Sequence, residues 1–197
     1  MSRLNLTGWV DLDRPSLQSH PLSYHQKVKY YRKRLRMSLT GPLQRVFKDI
    51  SRSKNESSVL IYATCVCCAI EAIGKFILGG SGNKHDNFKA FASRMHPNLM
   101  SQRIGTKTYC DILWHDFRNG LAHGLAICHG GFEHQATYFS IKQVCGVNCL
   151  YIDPAHFNAD FRRALAQYEK DLTAARTGSP LISSFEKVFN DVFVHGF

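Results

Sequence analysis

Between Ser57 and Leu78 the chain carries a stretch with almost no polar side, closed by Gly79-Gly80-Ser81-Gly82. A helix that is apolar nearly all round must be enclosed by other elements. Glycines after it end it, because they reach left-handed conformations without steric cost. The sequence therefore predicts a helix over about 58–78, capped by Ser57 or Ser58 and central in a helical bundle. Its unbroken apolar run, Val59 to Ile70, is about a dozen residues before Glu71 and Lys75, against the roughly 20 that a bilayer needs. Asp11 and Asp13 precede any apolar leader segment. Seven Cys, an odd number clustered apolarly at Cys65, Cys67 and Cys68, fit buried thiols better than a disulfide scaffold. The expectation is a cytoplasmic protein without a membrane partner.

Other helices follow from periodicity. Two basic helices, about 24–38 and 42–52, flank Gly41-Pro42, and 51–58 reads as a polar linker. Asp86 to Met95 reads as a short helix stopped before Pro97, and 97–107 as loop. Thr108 to Ala122 places Ile112, Leu113, Phe117 and Leu121 on one face. Gly130-Gly131 reads as a turn, and Phe132–Ile141 with Val147–Ile152 as a small β-hairpin about Gly146. Pro154 to Ala175 repeats Phe157, Phe161, Leu165, Tyr168 and Leu172 at helical spacing, and a last amphipathic helix follows Pro180. The fold class expected is mainly α, with a small β-hairpin after the helix near 108–122. At 197 residues this is one domain, read as an irregular N-terminal arm (1–22), a basic helical extension (23–54) and a helical domain (55–197).

The net charge of +10 is local. Ten basic residues and one acid, Asp49, fall between Tyr24 and Lys54. Lys27, Lys29, Arg32, Lys33, Arg34 and Arg36 interleave with Tyr24, Val28, Tyr31 and Leu35, which mark one helix face. Such a segment suits phosphate contacts, so RNA is the expected partner. The plainer reading is a solvated face.

One segment carries chemistry: Asp111-Ile-Leu-Trp-His-Asp-Phe-Arg118-Asn119-Gly-Leu-Ala-His123-Gly124. Chance yields roughly 0.7 Arg-x4-His pairs in such a composition, and about 0.03 with Asn after the Arg. On an amphipathic helix that follows a long apolar helix with Ala69-Ile70-Glu71-Ala72-Ile73, Arg118-Asn119-x3-His123 resembles the motif of the HEPN superfamily. The resemblance covers about 58–125, and Tyr151 to Leu172 is similar to the strand-then-helix ending of some members. It implies a HEPN-like helical bundle and a metal-independent endoribonuclease needing no cofactor or metal. It further implies a toxin or antiviral defence effector, a homodimer whose motifs face each other across a cleft, and an antitoxin or other regulatory partner. Arg118, Asn119 and His123 would be catalytic, with Asp116 and Glu71 as accessory polar groups.

The residue types suit that reaction. Without a metal, the ribose 2′-hydroxyl is the nucleophile, and a base, an acid and positive charge on the phosphorane are needed. His can be base or acid, and Arg offers a planar fork for phosphate oxygens. Arg118 and His123 stand about 140° apart on an ideal α-helix, so either Gly120 loosens the helix or a second copy contributes. Asp116 and Asn119, three apart, would share a face. Several alternatives stand beside this: a surface pair of Arg118 and His123, a structural ion pair of Glu71 with an Arg, a structural zinc in the window Cys128, His129, His134, Cys145 and Cys149, a catalytically silent RNA-binding or scaffolding HEPN protein, and a DNA-binding regulator in which Leu39–Pro42 is the turn of a helix-turn-helix.

Overall fold

The computed structural model describes residues 22–53, 56–120, 127 and 129–195. The expectations placed on the arm 1–21, on the linker at 54–55, on His123 and on Cys128 lie outside the described residues.

Helix α1 (Tyr24–Leu35) opens on a capping box, in which the Ser23 hydroxyl accepts from the Gln26 N–H and the Gln26 side chain accepts from the Ser23 N–H. The expected break at Gly41-Pro42 is absent. A π-helical turn (Arg36–Thr40) leads straight into α2 (Gly41–Ser53). In an α-turn the Pro42 ring would strike the carbonyl four residues back. The wider π turn avoids this, and the Gly41 N–H donates to the Arg36 carbonyl in the i→i+5 pattern. A Cβ on Gly41 would lie 2.7 Å from that carbonyl oxygen, so glycine suits the position.

Helix α3 (Glu56–Leu78) begins before the expected caps and runs to the glycines, where Gly79 and Gly80 take φ of 65° and 74°. It buries Tyr62, Val66, Cys67, Ile70 and Ile73. Helix α4 (Lys84–Ala92), capped by Asn83, returns along it. The two backbones touch: a Cβ on Gly74 would lie 1.7 Å from the Asn87 carbonyl oxygen. Ser58–Leu78 is, by length and composition alone, sufficient to cross a membrane, which corrects the shorter run read by stopping at Glu71. Half of that window is buried in the fold.

The expected loop 97–107 holds regular structure instead. Pro97 at N1 and a cap from His96 start α5 (Pro97–Ser101), and β1 (Arg103–Ile104) pairs antiparallel with β2 (Lys107–Thr108). Helix α6 (Tyr109–Ile112) has a capping box of Thr108 and Asp111, then widens into a π segment, Leu113–Asn119. The hairpin of β4 (Phe139–Val144) and β5 (Val147–Ile152) turns at Cys145 and Gly146, both with positive φ, as tight hairpin turns favour. Its first strand starts seven residues later than read from Phe132. Gly130-Gly131, read as a turn, lies in β3 (Gly130–Phe132), which pairs parallel with β5. The backbones there leave no room for a side chain, since a Cβ on Gly130 would meet the Leu150 carbonyl oxygen at 2.0 Å. Asp153 caps α7 (Pro154–Ala174), and α8 (Pro180–Phe189) passes into a π segment, Asn190–His195.

The fold is mainly helical. One core joins α1 and α2 (Val28, Tyr31, Leu43, Ile50) to α3, the motif helix (Leu113, Phe117), β5, α7 and α8.

Candidate active site around Arg118

The π segment carries Trp114, Asp116, Phe117, Arg118 and Asn119. Trp114 and Phe117 are buried and anchor the segment, while Arg118 is held on three sides. Its Nε and Nη2 lie 2.9 and 2.7 Å from one Glu71 oxygen, Oε2. Its Nη1 donates to Asn119 Oδ1 at 2.9 Å, and its Cζ sits 4.8 Å from the centre of the Trp114 ring. The Arg118 and Glu71 side chains are only 14% and 17% exposed. Of the five N–H donors of a guanidinium, two remain without a partner among the described residues, a short fork for an anion. The structure thus brings together Arg118, Asn119 and Glu71 as the sequence suggested, with Glu71 in the ion-pair role. His123 lies outside the described residues.

Arg118 lies in a π-wound stretch, Leu113–Asn119, whose i→i+5 turn is wider than an α-turn; the 140° offset expected between Arg118 and His123 involves residues outside those described. The same winding separates residues three apart. Asp116 is buried and turns to His129 Nδ1 at 3.4 Å and Lys107 Nζ at 4.0 Å. No contact joins it to Arg118 or Asn119 among the described residues, which corrects the shared face expected for Asp116 and Asn119.

Other residues of this region carry no motif signal. The His85 ring stacks on Trp114 at 5.5 Å, 19° from parallel, and lies 5.4 Å from the His115 ring. Burial and then the Lys89 ammonium lower the His85 pKa, against the opposing pull of Asp111. Burial alone would raise the Asp111 carboxyl, but hydrogen bonds from Lys89 and Thr108 outweigh it and hold its pKa well below the usual carboxylate range. Asp111 therefore stays ionised where it bonds Lys89 at 2.8 Å.

The basic segment divides. Lys27 pairs with Glu186 at 2.9 Å and Arg32 with Glu169 at 3.1 Å, tying α1 to α8 and α7. Arg34 donates to the Tyr30 hydroxyl. Lys29, Lys33 and Arg36 are exposed. In the Cys/His window, His129 faces Asp116, His134 lies 3.8 Å from Asp153, and Cys149 is buried. No three His, Cys, Asp or Glu converge as a metal site among the described residues.

A cavity of about 660 Å³ is an apolar groove between α1, α3 and the C-terminal π segment, lined by Leu35, Leu39, Cys68, Ala72, Phe76 and Phe193 among others. Neither Glu71 nor Arg118 lines it. Beside it α3 leaves a stripe uncovered: Leu60 and Ile61 are 37% and 57% exposed, and Cys65, Cys68 and Ala72 follow at helical spacing. Glu71 stands at the margin of that stripe.

Compared with family models, with curated proteins and with solved structures, the chain has no match.

Proposed function

We propose that this chain is a HEPN-like helical bundle and a metal-independent endoribonuclease that cleaves RNA by attack of the 2′-hydroxyl, acting in the cytoplasm as a toxin or antiviral defence effector under an antitoxin or similar regulatory partner. The observation that carries the reading is the state of Arg118. It is nearly buried, fixed by Glu71, Asn119 and Trp114, and keeps two donors without a partner among the described residues. A guanidinium fixed before the substrate arrives can stabilise charge that develops on a phosphorane without reorganising.

In the proposed reaction one imidazole or a like group removes the 2′-hydroxyl proton. The 2′-oxygen bonds to phosphorus, the bond to the 5′-oxygen breaks, and an acid protonates that leaving oxygen. His123 takes one proton-transfer role, Arg118 binds the non-bridging oxygens, and Asn119 orients Arg118. The uncovered stripe of α3, with Glu71 at its margin, supports a homodimer through that face, which would bring a second Arg118 and His123 to the site. The exposed Lys29, Lys33 and Arg36 supply phosphate contacts outside the chemistry.

The Glu71 carboxylate favours a second reading. It balances the Arg118 charge, which suits a catalytically silent RNA-binding protein. A helix-turn-helix regulator finds less support, since Leu39–Pro42 is helical. The purified chain incubated with cellular RNA in EDTA, beside Arg118→Ala and His123→Ala, separates these readings. Cleavage by the wild type alone is expected. RNA binding without cleavage would favour the silent protein.

A further inference from the structure

Beyond Arg118, at the far end of the same helical run, lies a smaller cavity of about 310 Å³ lined by four aromatic residues (His96, Tyr109, Tyr138 and Phe139) and by Asn98 and Gln102. The rings come from the approach to β4. Tyr138 and Phe139 stack with centroids 3.9 Å apart, 14° from parallel, and His156 continues the pile on Tyr138 at 5.7 Å and 21°. His96 meets both Tyr138 and Phe139 edge-on, and Tyr109 leans on Phe139 at 5.2 Å.

The polar atoms come from α5 and its end. His96 Nδ1 accepts the Asn98 N–H at 3.1 Å, so the neutral ring carries its proton on Nε2 as a donor. Asn98 and Gln102 line the cavity, and neither side-chain amide makes a hydrogen bond among the described residues. Each offers both a donor and an acceptor. The Tyr138 faces are taken up by Phe139 and His156, so a base would meet the remaining ring surface of the cluster, while the unpaired amides suit its edge of mixed donors and acceptors.

We infer that this cavity binds one unpaired nucleobase. As a subsite of the site at Arg118 the inference rests on the ribonuclease reading, but base binding does not. Tyr109 heads the helical run that carries Arg118, nine residues and about 13 Å along the axis at the α-helical rise, a length that a few nucleotides of single strand cover. Lys107, exposed and adjoining Tyr109, flanks the path.

The test uses the full chain and the four ribonucleoside 5′-monophosphates, followed by calorimetry or ligand-observed NMR, with ribose 5-phosphate and glucose as controls. At least one nucleotide is expected to bind and the controls not. Asn98→Ala and Gln102→Ala are expected to weaken binding about tenfold each, one to two hydrogen bonds' worth, while Arg118→Ala changes it less than about twofold. Neither amide holds the fold together, and circular dichroism checks this. Absence of nucleotide binding up to about 10 mM, equal binding of ribose 5-phosphate or glucose, or indifference to both amide substitutions would overturn the inference. Cleavage of a random-sequence RNA gives the second arm. The wild type is expected to show a base preference near the cut, and Asn98→Ala and Gln102→Ala to flatten it without stopping cleavage. A preference unchanged in both variants would overturn the subsite. If the wild type cuts nothing, the ribonuclease reading falls, and nucleotide binding still decides the pocket.

Discussion

Removing Glu71 isolates the Arg118 guanidinium in a site where its side chain is 14% exposed. Breaking a buried ion pair by deleting one partner costs about 3–5 kcal/mol. Here both nitrogens share a single carboxylate oxygen, and Asn119 and Trp114 remain as partners, which places Glu71→Leu at the lower end, about 2–4 kcal/mol. For a chain of this length each kcal/mol lowers Tm by about 2–4 °C, so a fall of roughly 5–15 °C is expected. Arg118→Met leaves the Glu71 carboxylate unpaired and should cost a similar amount. The double variant, with no charge to strand, should fall short of the sum of the two by at least ~1.5 kcal/mol. Urea unfolding of the four proteins measures the cycle. Single losses below about 0.5 kcal/mol, or losses that simply add, would show a solvated pair and would remove the argument that Arg118 is held in place before RNA arrives.

Gly74→Ala should destabilise by about 1–3 kcal/mol or more, because its Cβ would meet the Asn87 carbonyl backbone; a melting curve like the wild type's would refute the close approach. The folded pKa of Asp111 is depressed, so its stabilisation is present above the unfolded value and lost as pH falls through the folded one; Asp111→Asn should lower stability at pH 7, and the gap to wild type should narrow below about pH 4. Burial pushes the Cys110 thiol up to about 12, so with Cys67 it should resist alkylation in the folded chain while exposed Cys65 and Cys68 react; protection of those two that rises with protein concentration would place the homodimer on α3. Charge reversal at Lys29, Lys33 and Arg36 should reduce the log–log salt slope of RNA binding by about 0.7 for each phosphate no longer neutralised, as read by titration at several salt concentrations. Cleavage products should carry a 2′,3′-cyclic phosphate or 3′-phosphate and a free 5′-hydroxyl; end-labelling that finds a 5′-phosphate would exclude internal attack.

The legible parts of the fold were those written in side-chain spacing. The all-round apolar run of α3, the Phe157–Leu172 repeat of α7 and the Gly146 hairpin stand close to where their patterns put them. What the sequence could not display was backbone winding. Apolar residues at 113 and 117 fit α and π turns alike, so nothing marked the segment that orients Arg118, and Pro42 read as a break because the π turn that absorbs it has no residue signature. Gly130 read as a turn because glycine marks both a turn and a close strand approach. At the site, the motif pointed to Arg118 and Asn119, and the cost of a buried carboxylate pointed to Glu71. Trp114 under the guanidinium, and the amides and rings of the smaller cavity, are contacts between distant segments with no periodicity to betray them.

The meeting of α3 and α4 at Gly74 and Asn87 has a mechanical consequence. Three residues before Gly74, α3 holds the end of the motif helix through Glu71. Two residues to either side of Asn87, α4 holds its beginning through His85 and Lys89 on Asp111. With backbone against backbone at the joint, neither helix can slide or roll without the other. The motif helix is therefore clamped at both ends by one stiff frame, so a displacement of Arg118 has to carry α3 and α4 with it.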